Sequence, residues 1–172
     1  MKPTRLLLLL AASLMFFLNA SAESLKVGDK APVLTATTDA GTSLNLGEVY
    51  AKNKYTLVWF YPKALTGGCT KQGCSLRDAS AELTAKGVAV IGVSTDGVDA
   101  QKKFKETNNF PFPLLADTDK AVIKAFGQSG MLGFASREAY LIDQQGKVVY
   151  HDEKQTDKQA EKVLEFLNSK SS

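Results

Sequence analysis

Residues 55–78 read YTLVWFYPKALTGGCTKQGCSLRD, and this stretch decides the fold. Its first seven residues, 55–61, are continuously apolar and aromatic apart from one threonine, and the run stops at Pro62. A short apolar run of this kind is typical of a strand buried at the centre of a sheet. A turn, a glycine pair and a helical pattern follow, so the sequence predicts a strand, a loop and then a helix that begins at Cys69.

Strand and helix patterns alternate along the rest of the chain. A hairpin is predicted on either side of Asp39-Ala40-Gly41, and a Pro-punctuated crossing at residues 108–115. The remaining predicted strands are 88–94, 139–142 and 147–151, and the predicted helices are 69–86, 98–107, 119–126 and 156–168. This order indicates an α/β domain with a thioredoxin-like fold, in which helices flank a central mixed β-sheet.

The first 22 residues have the pattern of a secretory signal peptide. Lys2 and Arg5 precede the apolar run LLLLLAASLMFFL, and Ala20-Ser21-Ala22 matches a cleavage site. The alternative is an uncleaved membrane anchor, but the run is shorter than the roughly 20 residues that a span needs. We therefore expect a signal peptide at 1–22, one domain at 23–172 and an exported protein, most simply a periplasmic one.

The charge of the chain points to no polyanionic partner. The sequence has 21 basic and 18 acidic residues, and two of the basic ones, Lys2 and Arg5, belong to the predicted signal peptide. The remainder is close to neutral, so we expect neither nucleic acid nor, after cleavage, a membrane as partner.

The two cysteines of the chain, Cys69 and Cys74, have three possible explanations: a structural disulfide, a metal clip, or a reactive thiol with a partner. Export would allow a structural disulfide to persist. A zinc clip usually has shorter spacing and needs four ligands, whereas the single histidine, His151, is far along the chain and is expected at the surface. The sequence therefore indicates no metal.

The position of Cys69 favours a reactive thiol. Unpaired N–H groups and a partial positive charge at a helix start stabilise a thiolate, which is the nucleophilic form of cysteine. In a regular helix the Cα atoms of residues 69 and 74 would lie roughly 8.7 Å apart, and a disulfide needs about 7 Å or less. Either this stretch is not helical, or a bond between the two cysteines forms only after the helix start melts.

The same residues resemble a known family. Residues 62–69, PKALTGGC, match the P-x-x-x-T-x-x-C signature of peroxiredoxins. The C-x-x-x-x-C spacing and the following Arg77-Asp78 resemble the bacterioferritin comigratory protein group, also called peroxiredoxin Q. The likeness continues in GVST from Gly92, NFPFPLLAD from Asn109 and SREAYLID from Ser136.

This resemblance implies a role for each matching residue. Cys69 matches the peroxidatic cysteine, and Cys74 the resolving cysteine that forms an intramolecular Cys69–Cys74 disulfide with it. Thr66 matches the hydroxyl that hydrogen-bonds the peroxide, and Pro62 the residue that shields the sulfenic acid. Arg137 matches the arginine that stabilises the thiolate and the transition state.

The implied protein is an antioxidant thiol peroxidase that reduces hydrogen peroxide and organic hydroperoxides without a cofactor. Thioredoxin or an exported thioredoxin-like protein would be the reductant, and the chain would be a monomer or a weak dimer. The sequence departs from the family at Gly67, where proline is usual, and this glycine should loosen the loop. Residues 132–134 could line an opening, form a dimer contact or belong to the core.

Two other functions are consistent with an exported thioredoxin-like domain. A thiol-disulfide oxidoreductase acting on protein disulfides usually has C-x-x-C after an aromatic residue, and this sequence has neither at Cys69. A non-enzymatic domain with a structural disulfide would be destabilised by reduction, whereas the peroxidase should be better folded when reduced.

Overall fold

A computed structural model of the chain describes residues 23–128, 133–153 and 157–170. The predicted signal peptide at 1–22 lies outside the described residues, as does Leu132 of the apolar stretch at 132–134. Within the described ranges, the helices are all too short or too polar to cross a bilayer.

A five-stranded sheet in the order β5-β4-β3-β6-β7 forms the centre of the fold. Its members are β3 (Tyr55–Phe60), β4 (Val88–Ser94), β5 (Leu114–Ala116), β6 (Glu138–Asp143) and β7 (Val148–Glu153). Strands β3, β4 and β5 are parallel, whereas β6 runs antiparallel to both β3 and β7. The prediction of a buried central strand is confirmed, since β3 lies in the middle and residues 56–60 are buried.

A small antiparallel hairpin precedes this sheet, as predicted, and consists of β1 (Thr35–Thr37) and β2 (Ser43–Asn45). Helix α1 (Leu46–Lys52) follows it and was not predicted. Its start is stabilised by the side chain of Asn45, which accepts a hydrogen bond from the N–H of Glu48 at 3.2 Å.

The predicted helix at 69–86 is wrong as a single element. The structure has α2 (Gly67–Asp78) and α3 (Ser80–Ala85), which are separated by Ala79 in a non-helical conformation. The predicted crossing at 108–115 contains the short strand β5. The other helices are α4 (Val98–Asn108), α5 (Ala121–Ala125) and α6 (Gln159–Ser169), close to their predicted places.

The core has two parts, one on each face of the sheet, because side chains alternate along β3. Leu57 and Trp59 point to the face covered by α2, α3, α4 and α6. Val58 and Phe60 point to the opposite face, where Phe126 and Tyr140 pack. Helix α2 therefore begins just beyond the carboxyl end of β3 and lies against the first of these faces.

Candidate active site

Cys69 lies in the first turn of α2 and its side chain is fully buried. Thr66 is the residue before the helix, so the sulfur is close to the unpaired N–H groups and the positive end of the helix dipole. The preceding loop is held in place because Asp96 accepts hydrogen bonds from the N–H of Ala64 and from the hydroxyl of Ser94, both at 2.7 Å. A negative charge on the Cys69 sulfur would be stabilised in this position.

Arg137 approaches the same sulfur from the start of β6. Its Nη1 lies 3.4 Å from Sγ of Cys69 and 3.4 Å from Oε1 of Gln72. The guanidinium passes over Gly68, where a Cβ atom would lie only 2.8 Å from Nη2. The fold therefore brings Cys69 and Arg137 together across 68 positions of sequence and leaves room for the arginine by having no side chain at Gly68.

Gln72 belongs to this site and was missed by the sequence analysis. Its side chain is buried, and its Nε2 donates to the carbonyl of Phe60 at 3.2 Å and to Oε1 of Gln159 at 3.1 Å. These two bonds hold the amide so that its oxygen faces Arg137. One signal was available, because residues three apart on a helix share a face, and Gln72 is three after Cys69.

Thr66 and Pro62 lie in the loop before Cys69. The Thr66 hydroxyl is exposed and donates to the carbonyl of Lys63 at 2.9 Å, so its lone pairs remain as acceptors. Pro62 is half-buried and follows Tyr61, whose side chain is fully buried and hydrogen-bonded to Gln101. Burial raises the pKa of Tyr61 well above its ordinary value, and the nearby Cys69 adds to the effect, so the phenol stays protonated.

Two large apolar side chains near these residues are exposed. Leu65, next to Thr66, is 45% exposed and has a φ angle of 62°, which side-chain-bearing residues rarely adopt. Phe134, three residues before Arg137, is 39% exposed and is therefore not a core residue. Both lie within a few residues of the groups around Cys69.

Cys74 is a half-buried free thiol on the same helix, and Cys69 is free as well. Its Sγ lies 3.9 Å from Oδ1 of Asn108, the last residue of α4. Because α2 is continuous from Gly67 to Asp78, the two cysteines have the helical separation of roughly 8.7 Å. They cannot bond in this conformation, which gives no support to a structural disulfide.

His151 is not the surface residue that was predicted. Its Nε2 lies 2.9 Å from Oε2 of Glu138, and its ring stacks on Tyr140 with 4.3 Å between centroids. Burial raises the pKa of Glu138, but hydrogen bonds from His151, Tyr140, Gln128 and Ser136 outweigh burial and lower it to about 2.

In the described ranges, His, Cys, Asp and Glu side chains form no cluster of three or more suited to a metal ion.

A buried cysteine lies at the start of a helix, beside an arginine and beyond the carboxyl end of a central strand, which is the arrangement of a thioredoxin-fold protein with a thiol at its candidate site. Comparison with known proteins identifies the class. The sequence profile of the AhpC/TSA family matches residues 27–151. Peroxiredoxin Bcp of Escherichia coli K12 is 38% identical over 151 residues, which cover 83% of this chain and 96% of the relative.

Solved structures agree with this relationship. Peroxidoxin BcpB of Mycobacterium tuberculosis superposes with a TM-score of 0.78 and 32% identity, covering 84% of this chain and 97% of its own. A bacterioferritin comigratory protein of Xanthomonas campestris, described for its alkyl peroxide reduction activity, has a TM-score of 0.74 and 26% identity, with 84% and 100% covered.

The chain belongs to the AhpC/TSA family and, within it, to the bacterioferritin comigratory protein or peroxiredoxin Q group of peroxiredoxins. It is a thiol peroxidase with a thioredoxin-like fold. The alternative of an oxidoreductase acting on protein disulfides finds no support among these relatives.

Proposed function

We propose that Cys69 is the peroxidatic cysteine of this peroxidase. The observation that carries the proposal is the contact of 3.4 Å between Sγ of Cys69 and the guanidinium of Arg137 at the start of α2. The thiolate attacks one oxygen of the hydroperoxide, and the O–O bond breaks. The sulfur becomes a sulfenic acid, and the other oxygen takes a proton and leaves as alcohol or water. Arg137 stabilises the charge that develops on both oxygens.

Thr66 and Pro62 complete the proposed site. Because the Thr66 hydroxyl donates to Lys63, its lone pairs can accept the hydrogen bond of the incoming hydroperoxide. Pro62 shields the sulfenic acid from solvent, as its half-buried position in the loop before Cys69 allows. Gln72 holds Arg137 and acts as a positioning residue rather than a catalytic one.

Cys74 is the proposed resolving cysteine. It attacks the sulfur of the Cys69 sulfenic acid, so that an S–S bond forms, the S–O bond breaks and water leaves with the proton from Cys74. This step requires the first turns of α2 to unwind, since the helical separation is too great. The non-helical Ala79 between α2 and α3 allows α2 to unwind while α3 stays in place.

The proposed substrates are hydrogen peroxide and organic hydroperoxides. The Xanthomonas relative is described for alkyl peroxide reduction, and the exposed Leu65 and Phe134 of this chain would suit an apolar substituent. A thioredoxin-type protein reduces the disulfide and returns the enzyme to its starting state. We further propose that the chain works as a monomer or a weak dimer.

We also propose that residues 1–22 are a signal peptide and that the mature enzyme acts in the periplasm with an exported thioredoxin-like reductant. The charged start, apolar run and small-residue pattern of the sequence support this location. Expression of the full chain followed by fractionation and mass spectrometry would test it. A periplasmic product that begins at Glu23 is expected, and a full-length cytoplasmic product would contradict it.

The peroxidase roles are tested with reduced residues 23–172 and one equivalent of hydrogen peroxide, followed by stopped flow and mass spectrometry. Fast peroxide loss and a Cys69–Cys74 disulfide are expected for the wild type. Cys69→Ser should lose the reaction, and Cys74→Ser should retain the first step and accumulate sulfenic or sulfinic acid at Cys69. Peroxide loss in wild type no faster than with a free thiol would contradict the proposal.

A further inference from the structure

The side chain of Cys74 is held by Asn108, a residue that no step described so far uses. The Cys74 thiol donates to Oδ1 of Asn108 at 3.9 Å, a weak S–H hydrogen bond. One turn further along α2, Nη1 of Arg77 donates to the backbone carbonyl of Asn108 at 2.8 Å. We call Cys74, Arg77 and Asn108 the Asn108 clamp, since together they hold the end of α2 on the end of α4.

The orientation of the Asn108 amide is fixed by a third contact. Its Nδ2 donates to the carbonyl of Phe104 at 2.8 Å, one turn earlier on α4. The oxygen is therefore the atom that faces Cys74, and an amide oxygen can only accept. The contact exists only while the Cys74 sulfur carries its proton.

We propose that Asn108 is a positioning residue that slows the resolving step by holding the Cys74 thiol in its protonated, helical position. The inference rests on the proposed role of Cys74 as the resolving cysteine. A sulfur that attacks the sulfenic acid gives up its proton, and a disulfide sulfur has no proton to donate. The contact with Asn108 thus stabilises the resting state and is lost in the transition state, which raises the barrier.

Arg77 anchors the clamp independently of the Asn108 side chain. Its bond is to the backbone carbonyl at the carboxyl end of α4, where a cation is favoured. Its Nη2 also pairs with Asp78 at 2.7 Å, which fixes the guanidinium. Asn108→Ala keeps the backbone carbonyl that Arg77 contacts, so it removes the amide from Cys74 while this anchor stays in place.

The clamp sets how long the sulfenic acid of Cys69 persists. While Cys74 is held, a second hydroperoxide can oxidise the sulfenic acid to sulfinic acid and leave as alcohol or water. Faster release of Cys74 therefore means less overoxidation at a given peroxide concentration. The Asn108 clamp therefore stabilises the reduced helix α2 and slows the formation of the Cys69–Cys74 disulfide.

The test compares Asn108→Ala with Asn108→Asp as its matched control. Both variants lose the bond from Nδ2 to Phe104, but only aspartate keeps an oxygen that can accept from Cys74. We expect the alanine variant to form the Cys69–Cys74 disulfide on the order of two- to fivefold faster, the value of one modest hydrogen bond. Its sulfinic acid fraction should fall, and its first-step rate constant should be unchanged.

Asn108→Asp should resolve no faster than the wild type, and Asn108→Ser, whose hydroxyl is too short to reach Cys74, should behave like alanine. Rapid quenching and mass spectrometry measure the disulfide, and thermal unfolding of each reduced variant shows that it is folded. Alanine and aspartate variants of equal rate, or an alanine variant no faster than wild type, would overturn the inference. A wild type that forms no Cys69–Cys74 disulfide would instead refute the proposed role of Cys74.

Discussion

Gly68 leaves no room for a side chain, because the guanidinium of Arg137 lies over it. Gly68→Ala would place a Cβ atom 2.8 Å from Nη2, so Arg137 must move away from Cys69. We expect the rate constant for peroxide consumption to fall about 10- to 100-fold, as when one group that stabilises developing charge is displaced. Stopped-flow measurement of peroxide loss under single-turnover conditions would check this.

Gly67→Ala is the matched control for that change. A Cβ atom at Gly67 would meet nothing within 4 Å, although both glycines belong to the first turn of α2. Alanine is a better helix former than glycine. Both variants should therefore gain a similar helix stability of about 0.5 to 1 kcal/mol. Equal activity of the two variants would show that the approach of Arg137 over Gly68 is unimportant.

The residues of the site differ in how far the sequence alone could reveal them. Cys69 stands out because a thiol at a predicted helix start has a physical reason to be reactive. Arg137 was found only through the family resemblance, since by itself it reads as a surface arginine. Gln72 was missed, and His151 was wrongly expected at the surface. Their partners, Arg137 and Glu138, are distant in sequence and come into contact with them only when the sheet and its helices assemble.

Helix α2 begins at Gly67, where the family usually has proline, and this difference affects how easily the helix start unwinds. Gly67 is the first helical position, where proline is favoured, and the preceding Thr66 has extended backbone angles that proline permits. Gly67→Pro should therefore stabilise the reduced protein by about 1 kcal/mol. It should also slow disulfide formation, because the helix start becomes harder to unwind.

Denaturant unfolding of the reduced variant and quench-flow measurement of the disulfide test the two halves of this prediction. Gly67→Ala again serves as the control, since it adds a Cβ atom without the ring that fixes the φ angle of proline. A proline variant that is more stable but resolves as fast as the alanine variant would show that unwinding does not begin at Gly67.

The two long parallel strands were predicted more accurately than the helix boundaries, whereas the short strand β5 was not predicted as a strand. Residues 88–94 match β4, and residues 55–61 exceed β3 by one residue, because apolar runs buried on both faces are unmistakable in sequence. The break at Ala79 carries no local signal, as alanine is the best helix former. Helix α1 escaped notice because seven residues with two buried side chains make a weak periodic pattern.

For the molecule as a whole, the two redox states should differ in stability. Oxidation adds a cross-link that closes a short loop. By restricting the unfolded chain, this cross-link stabilises the native state by only about 2 kcal/mol. Forming the disulfide also unwinds the part of α2 that buries Cys69 and Gln72. We expect the oxidised protein to melt several degrees below the reduced one.

Differential scanning calorimetry of both forms would measure this, with untreated Cys74→Ser, which forms no intramolecular bond, as the reference for the reduced fold. An oxidised form that melts above the reduced form would mean that the cross-link stabilises the protein by more than the unwinding of α2 destabilises it. That result would favour a structural disulfide between Cys69 and Cys74.

The buried carboxylate of Glu138 should dominate the acid sensitivity of the fold. Its pKa lies at about 2 instead of 4.5, so its ionised form stabilises the native state above pH 4.5. That stabilisation, about 3 kcal/mol at most, is lost as the pH falls from 4.5 towards 2. Burial raises the pKa values of Asp117 and Asp152, so these two carboxyls favour the native state when protonated and offset part of the loss.

Glu138→Gln removes this contribution and should make unfolding free energy less dependent on pH between 4.5 and 2. The difference in stability from wild type should be largest near neutral pH and should shrink as the pH falls. Glu48→Gln is the control, because Glu48 is exposed and its pair with Lys52 is worth little. Parallel pH curves for wild type and Glu138→Gln would contradict the assignment.

The bond between Gln72 and Gln159 joins the redox helix α2 to the closing helix α6, far along the chain. If α2 unwinds on oxidation, Gln72 leaves, and Gln159 loses its buried partner. Helix α6 would then fray, and its amides would exchange with deuterated solvent faster in the oxidised protein. A reductant that binds α6 could thus distinguish the oxidised from the reduced protein by the local unfolding of this helix, which contains neither cysteine.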